Sequence, residues 1–362
     1  MRATTTDAWI GNSFTMTLAC SLAGRRSLIV ALAVLAGTAC NDTEDLVAPV
    51  DTPTTTTTDA AAADSLAGTD SVSSTLASAT YSGLPYGPIG LWATLNTFEM
   101  GPAPFTLSQE TVSPSSIVAR INNARSKRQR LVLAMTGTSA SDYKTNGKFD
   151  LSKWKRRMNG FNTSTIRNAV AGGVSDGTVV GNTMIDEPET VRWGGNVSKS
   201  VIDQMAAYSR SIFSTLPVGV NLGPPGYRWR ASERFHKLDW ARYQYSWGVT
   251  KGDVGAWRSA VLNQAHKDGV TPAFSLNVLD GGVRDLAGSW DCPGTHRGTY
   301  SHNCWMSPDQ VRTYGRAVGP SGCFLLMWTY TDAFMSKSAN RDAFHDVAST
   351  LASKSRRSCR RP

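Results

Sequence analysis

Short apolar runs alternate with helix-like stretches through most of the chain, and that order constrains the fold more than any other feature. The runs are Leu91 to Asn96, Leu131 to Thr136, Val179 to Ile185, Val218 to Leu222, Ala241 to Ser246, Ala273 to Leu279 and Phe324 to Tyr330. Apolar runs of this length, bounded by turn residues, read as buried strands, and helices between them imply a parallel sheet with crossovers. The clearest helices are expected over Pro114 to Lys127, Ser198 to Ser214, Val254 to Lys267 and Ser307 to Ala317. Ser113 and Ser307 each stand just before a proline, where a hydroxyl caps a first turn. About 280 residues in this order suit one TIM-type (β/α)8 barrel. Between Thr136 and Val179 only the helix-like segments Leu151 to Met158 and Thr165 to Ala171 stand out, so strand 3 is expected to be irregular or missing.

The first 80 residues follow a different pattern. Basic Arg25 and Arg26, an apolar run from Leu28 to Leu35 and the small Gly37, Thr38 and Ala39 precede Cys40, which is the order of a signal peptide over residues 1–40. The run is about half of the ~20 residues that a membrane-spanning helix needs. Cys40 stands where a lipoprotein would be cleaved and acylated, tying the chain to a membrane; with Gly37 where such signals usually carry Leu, unlipidated cleavage after Ala39 is the other reading. Residues 41–80 hold seven acidic residues, no basic ones and no aromatics among Thr, Ser and Ala. They have too little apolar surface to offset the entropy of ordering and read as a disordered acidic linker. Residues 81–362 are then an exported barrel domain, either membrane-anchored or secreted or periplasmic.

The net charge is +9, of which residues 1–40 carry +2 and residues 41–80 carry −7, leaving +14 on the barrel. Such a domain favours anionic envelope material or acidic polymers; the sequence has no nucleic-acid motif, and a monomer is expected. Cys292, Cys304, Cys323 and Cys359, outside the cytoplasm, read as two disulfides. Pairing Cys292 with Cys304 closes a polar loop, and pairing Cys323 with Cys359 ties the basic tail to the last strand. A metal reading stays open beside it, with Cys292, His296, His302 and Cys304 as two thiolates and two imidazoles. The oxidising export route favours the disulfides, so no metal or other cofactor is expected.

Active-site groups of such a barrel sit at the C-terminal ends of its strands. Asp186, Glu187, Pro188 and Glu189 follow one run and Asn221 ends the next; Tyr243, Gln244 and Tyr245, then Asn277 and Asp280, and finally Trp328, Tyr330 and Asp332 end the others. Carboxyl groups for proton donation, amides for hydroxyls and aromatic faces for sugar rings are what glycoside hydrolysis needs. Asp186, Asn221, Tyr245, Asn277, Trp328 and Tyr330 are therefore expected to bind substrate, and Gly281 and Gly282 to let a ligand approach the backbone. The absence of a P-loop, a dinucleotide fingerprint or a His-Glu-x-x-His pair argues against the enzyme classes that those motifs mark.

Asp186-Glu187-Pro188, with Asp280 three strands later and Trp328 on the last, resembles the clan A glycoside hydrolases. There a Glu between Asn and Pro ends strand 4, and a carboxylate ends strand 7. The resemblance implies that Glu187 is the general acid/base and that Asp280 is the nucleophile, or the base for a water, in hydrolysis of a polysaccharide or glycoconjugate. Two positions depart from the pattern: Asp186 replaces Asn, and Asp280 replaces Glu. A non-catalytic barrel that binds a carbohydrate or envelope polymer is the other reading. Asp186 either raises the pKa of Glu187 by repulsion or turns away toward a basic neighbour.

Overall fold

The computed structural model describes residues 81, 83–89, 105–137, 139–222, 233–246, 253–279, 281–282, 304–328 and 330–362. The signal segment with Cys40, the linker, the run Leu91 to Asn96, Asp280, Cys292, His296 and His302 lie outside the described residues. Eight parallel strands build the barrel: β1 Tyr86–Pro88, β2 Leu107–Thr111, β3 Arg130–Ala134, β4 Val179–Asp186, β5 Val218–Leu222, β6 Trp240–Tyr245, β7 Thr271–Asn277 and β8 Leu325–Trp328. Neighbours in the chain are neighbours in the sheet from β2 to β8, and β8 pairs with β1, Leu325 opposite Tyr86. The ring is nearly closed between β1 and β2, where the Thr106 N–H donates to the Tyr86 carbonyl at 2.8 Å and Ile89 bridges Gln109. The outer layer includes α1 Ile117–Ser126, α2 Leu151–Asn159, α3 Ser164–Ser175, α4 Lys199–Ile212, α5 Val254–Asp268, α6 Pro308–Val318 and α7 Ser338–Ala352. This is a TIM-type (β/α)8 fold.

Strand 3 is present, contrary to expectation: the run at Leu131 is β3. The strand hidden from the hydrophobic pattern is β2, whose sequence is Leu-Ser-Gln-Glu-Thr. Ser108 and Glu110 are buried and Gln109 is partly so, and each of the three meets another polar group. The Ser108 hydroxyl donates to Glu110, and the Gln109 carbonyl accepts from Arg242 and Thr183 inside the barrel. Residues 114–116 form a turn, so α1 begins at Ile117 instead of at Pro114. At α6 Ser307 and Gln310 complete a reciprocal capping box, as the Ser-Pro pair suggested.

A large apolar cluster lies between strands and helices, and a second one fills the barrel. The second is built from Leu107, Val132, Val180, Trp240, Ala273, Phe324 and Leu326. Gly219 makes room for the Trp240 indole, since a Cβ there would fall 2.0 Å from the ring. Cys323 and Cys359 are disulfide-bonded and join this inner cluster. The Cys304 sulfur is also in a disulfide. The Cys323–Cys359 bond fastens the tail beneath the barrel, where the Arg357 guanidinium donates to the Ser321 carbonyl and Arg360 to that of Thr215.

Replacing Cys323 and Cys359 together by Ser opens a loop with a sequence separation of 36. The lost restraint on the unfolded chain corresponds to about 3 to 4 kcal/mol. Urea unfolding of the double variant against the oxidised protein should show a loss of that order; an unchanged midpoint would mean that the tail contributes no such restraint.

Candidate active site

The mouth of the barrel is organised by the end of β4. Seven buried residues lead to Asp186, after which the backbone turns at Glu187 with φ of 45°, a left-handed conformation that is strained for a side chain with Cβ. The surroundings hold the turn in place. The Glu187 N–H donates to the Asn221 carbonyl at 3.0 Å, and the Glu187 carbonyl accepts from the Thr190 N–H and hydroxyl. The Trp193 indole N–H donates to the Asp186 carbonyl at 2.7 Å. Strain of about 1–3 kcal/mol at such a residue persists only where neighbours over-determine it.

Beneath Glu187 lies a charged network inside the barrel. Arg242 of β6 is 2% exposed; its guanidinium donates to the Gln109 carbonyl oxygen at 2.7 Å and to the Asn221 amide oxygen at 3.1 Å. The Asn221 amide N–H donates to Asp186 at 2.6 Å. Arg242 stands 3.8 Å and Arg192 3.3 Å from the Asp186 carboxylate. Burial lowers the Arg242 guanidinium to about 10, against the opposing pull of Asp186 and Glu187. Glu187, half-buried, is pushed above the ordinary carboxylate range, first by burial and then by the Asp186 charge, while Arg242 and Arg192 pull the other way. Both readings of Asp186 therefore hold at once: it turns toward basic neighbours and still repels a charge on Glu187.

The expected site residues divide by strand parity. Asn221 lies on the inner face with Gly219, Asn277 with Ala273, and Trp328 with Leu326, so these three share the mouth with Asp186 and Glu187. Asn277 and Trp328 are register partners, and Trp328 is 38% exposed. Tyr330 follows β8, where its hydroxyl donates to Asp332 at 3.1 Å. Tyr245 is placed elsewhere: it is fully buried on the outer face of β6, with its ring 4.6 Å from Tyr314 and 5.1 Å from Trp257. The alternation that turns Arg242 inward turns Tyr243 and Tyr245 outward, and makes Gln244 the β6 residue at the rim. A Cβ at Gly281 or Gly282 would fall about 2 Å from the Asn277 or Trp305 carbonyl oxygen, so the packing of this segment itself requires glycine at both positions. Gln244 was anticipated only as one of three residues ending its run, and Arg242 and Gln109 were not anticipated as site residues; the arginine inside an apolar run was the one signal.

No family model and no curated protein matches the sequence. Among solved structures the chain is similar to an endo-β-1,4-mannanase from Thermotoga petrophila, at 8% identity and a TM-score of 0.47 over 75% of this chain and 77% of that one. It is similar to a GH113 β-1,4-mannanase at 10% identity and a TM-score of 0.45 over 75% and 99% of the two chains. A GH10 structure from Paenibacillus barcinonensis matches at 12% and 0.44 over 76% and 97%.

The raised pKa of Glu187 ties stability to pH. The folded chain holds the proton more tightly than the unfolded chain, so stability falls as pH rises through the ordinary carboxylate range toward the folded pKa. Glu187→Gln should therefore melt above the wild type at pH 7, and the difference should vanish at pH 3.5, where both side chains are neutral. Melting curves at the two pH values decide this, and an equal shift at both would assign the effect to packing.

Proposed function

We propose that this chain is an exported glycoside hydrolase acting on a polysaccharide or glycoconjugate, with Glu187 as general acid and Asp280 as its partner carboxylate. The observation that carries the reading is the environment of Glu187. A half-buried carboxyl group whose hold on its proton is raised by burial and by the neighbouring Asp186, at the C-terminal end of a barrel strand, is suited to protonating a glycosidic oxygen. Asn277 and the partly exposed Trp328 on the same rim are suited to a sugar hydroxyl and a ring face, while Asn221, buried, holds Asp186 and Arg242 in place beneath them. Asp280, following β7, would attack the anomeric carbon or activate a water. The signal segment and Cys40 support an exported, lipid-anchored chain that works as a monomer on envelope or extracellular glycans.

Glu187→Gln should lower turnover of substrates with poor leaving groups by about 10² to 10⁴ while binding survives, and Asp280→Asn should abolish turnover whatever the leaving group. A panel of glycans, with binding and turnover recorded separately, tests both. Wild-type rates from both variants on a confirmed substrate would remove the assignment. Binding without turnover, lost in Trp328→Ala, would instead establish a non-catalytic carbohydrate-binding barrel.

A further inference from the structure

The N-terminal end of the barrel, remote from Glu187, carries a different kind of surface. The tail after α7 crosses that end and touches the segments that lead into several strands. Arg356 lies against Gly177 before β4, Arg360 reaches Thr215 before β5, the Thr271 hydroxyl at the start of β7 donates to the Arg360 carbonyl, and Arg357 reaches Ser321 before β8. Arg356, Arg357 and Arg360 are exposed. Around them, Lys127 and Arg128 before β3, Arg234 and Lys237 before β6 and Lys267 before β7 are exposed as well. The acidic residues of the same segments leave little to balance them. Asp239 and Asp268 are buried, Asp176 is bonded to Arg125, and Glu233 alone is exposed among the described residues.

We infer that this end of the barrel is a docking surface for anionic phospholipid headgroups, with the disulfide-fastened tail at its centre. Guanidinium groups recognise phosphate oxygens through paired N–H donors. An array spread over the segments before β3 to β8 fits a planar anionic surface better than it fits a single chain lying in a groove. The chain also joins the barrel on this face: the Tyr81 hydroxyl sits 3.1 Å from the Gln129 carbonyl oxygen and 3.0 Å from the Thr178 hydroxyl, just before β3 and β4. Tyr81, where the described part of the chain begins, therefore lies on this face. Docking in this way would turn the mouth with Glu187 away from the bilayer. The inference rests on the export reading above and is independent of hydrolysis.

The test uses the exported protein with Cys40→Ser, so that no acyl chain contributes, and sedimentation with vesicles of phosphatidylcholine alone or with about one-third phosphatidylglycerol. Binding is expected only to the anionic vesicles and should weaken about tenfold or more between low salt and 0.5 M NaCl, where screening shortens the reach of each charge. Arg356→Gln with Arg357→Gln and Arg360→Gln should weaken it by a similar factor, and so should Lys127→Gln with Arg128→Gln and Lys267→Gln, a set that leaves the tail intact. Glycan turnover by both sets should match that of the parent, which separates this surface from the proposed active site. Equal binding to neutral vesicles, salt-independent binding or unaltered binding by both sets would overturn the proposal. Tail-dependent binding of soluble polygalacturonate without vesicle binding would overturn the lipid assignment and name an acidic polymer instead.

Discussion

A guanidinium sealed inside an apolar barrel is the constraint around which the mouth is arranged. Moving an ion of this size out of water costs several kcal/mol even after relaxation, and the cost is tolerable only when its donors are met by well-placed acceptors. Arg242 meets that condition with groups from several different strands: Gln109 of β2, Asn221 of β5 and Asp186 of β4. The network thereby fixes the relative heights of those strands. It also explains why β2 is polar, because an apolar residue at Gln109 would leave the buried charge short of an acceptor. Glu187 sits immediately above this network, so its electrostatic environment and its strained backbone both derive from the same arginine.

Much of the fold was legible because parallel strands buried on both faces appear as continuous apolar runs, and those from β4 onward do so. The β4 motif and the capping box at Ser307 were legible for local reasons, one a cluster of carboxyls before proline and the other a hydroxyl three residues before an amide. β2 was not legible, since its stability comes from hydrogen bonds to residues 74 and 133 positions away, which a hydrophobic pattern cannot register. The inward face of β6 was ambiguous for a related reason: with both faces buried, nothing local decides whether Tyr243 and Tyr245 or Arg242 and Gln244 look into the barrel. The arginine decides it, because acceptors such as Gln109 and Asn221 exist only on the inside, while the outer face meets Trp257 and Tyr314.

The left-handed turn at Glu187 is likewise a non-local result. Its amide is satisfied by the neighbouring strand, and its carbonyl by the loop that returns through Thr190. Among the described residues no salt bridge holds the carboxyl group, and the backbone turn sets where it starts.

The inner cluster around Trp240 has one more consequence. Trp240, Phe324 and Leu326 fill the lower half of the barrel, glycine at 219 lets the indole lie flat across it, and the disulfide and tail cover the end below. Among the described residues the barrel thus has a packed floor, and its rim lies at the opposite end. A molecule bound at that rim could not pass through the barrel, so its arrival, its departure and the exchange of water around it would all take place on the same side.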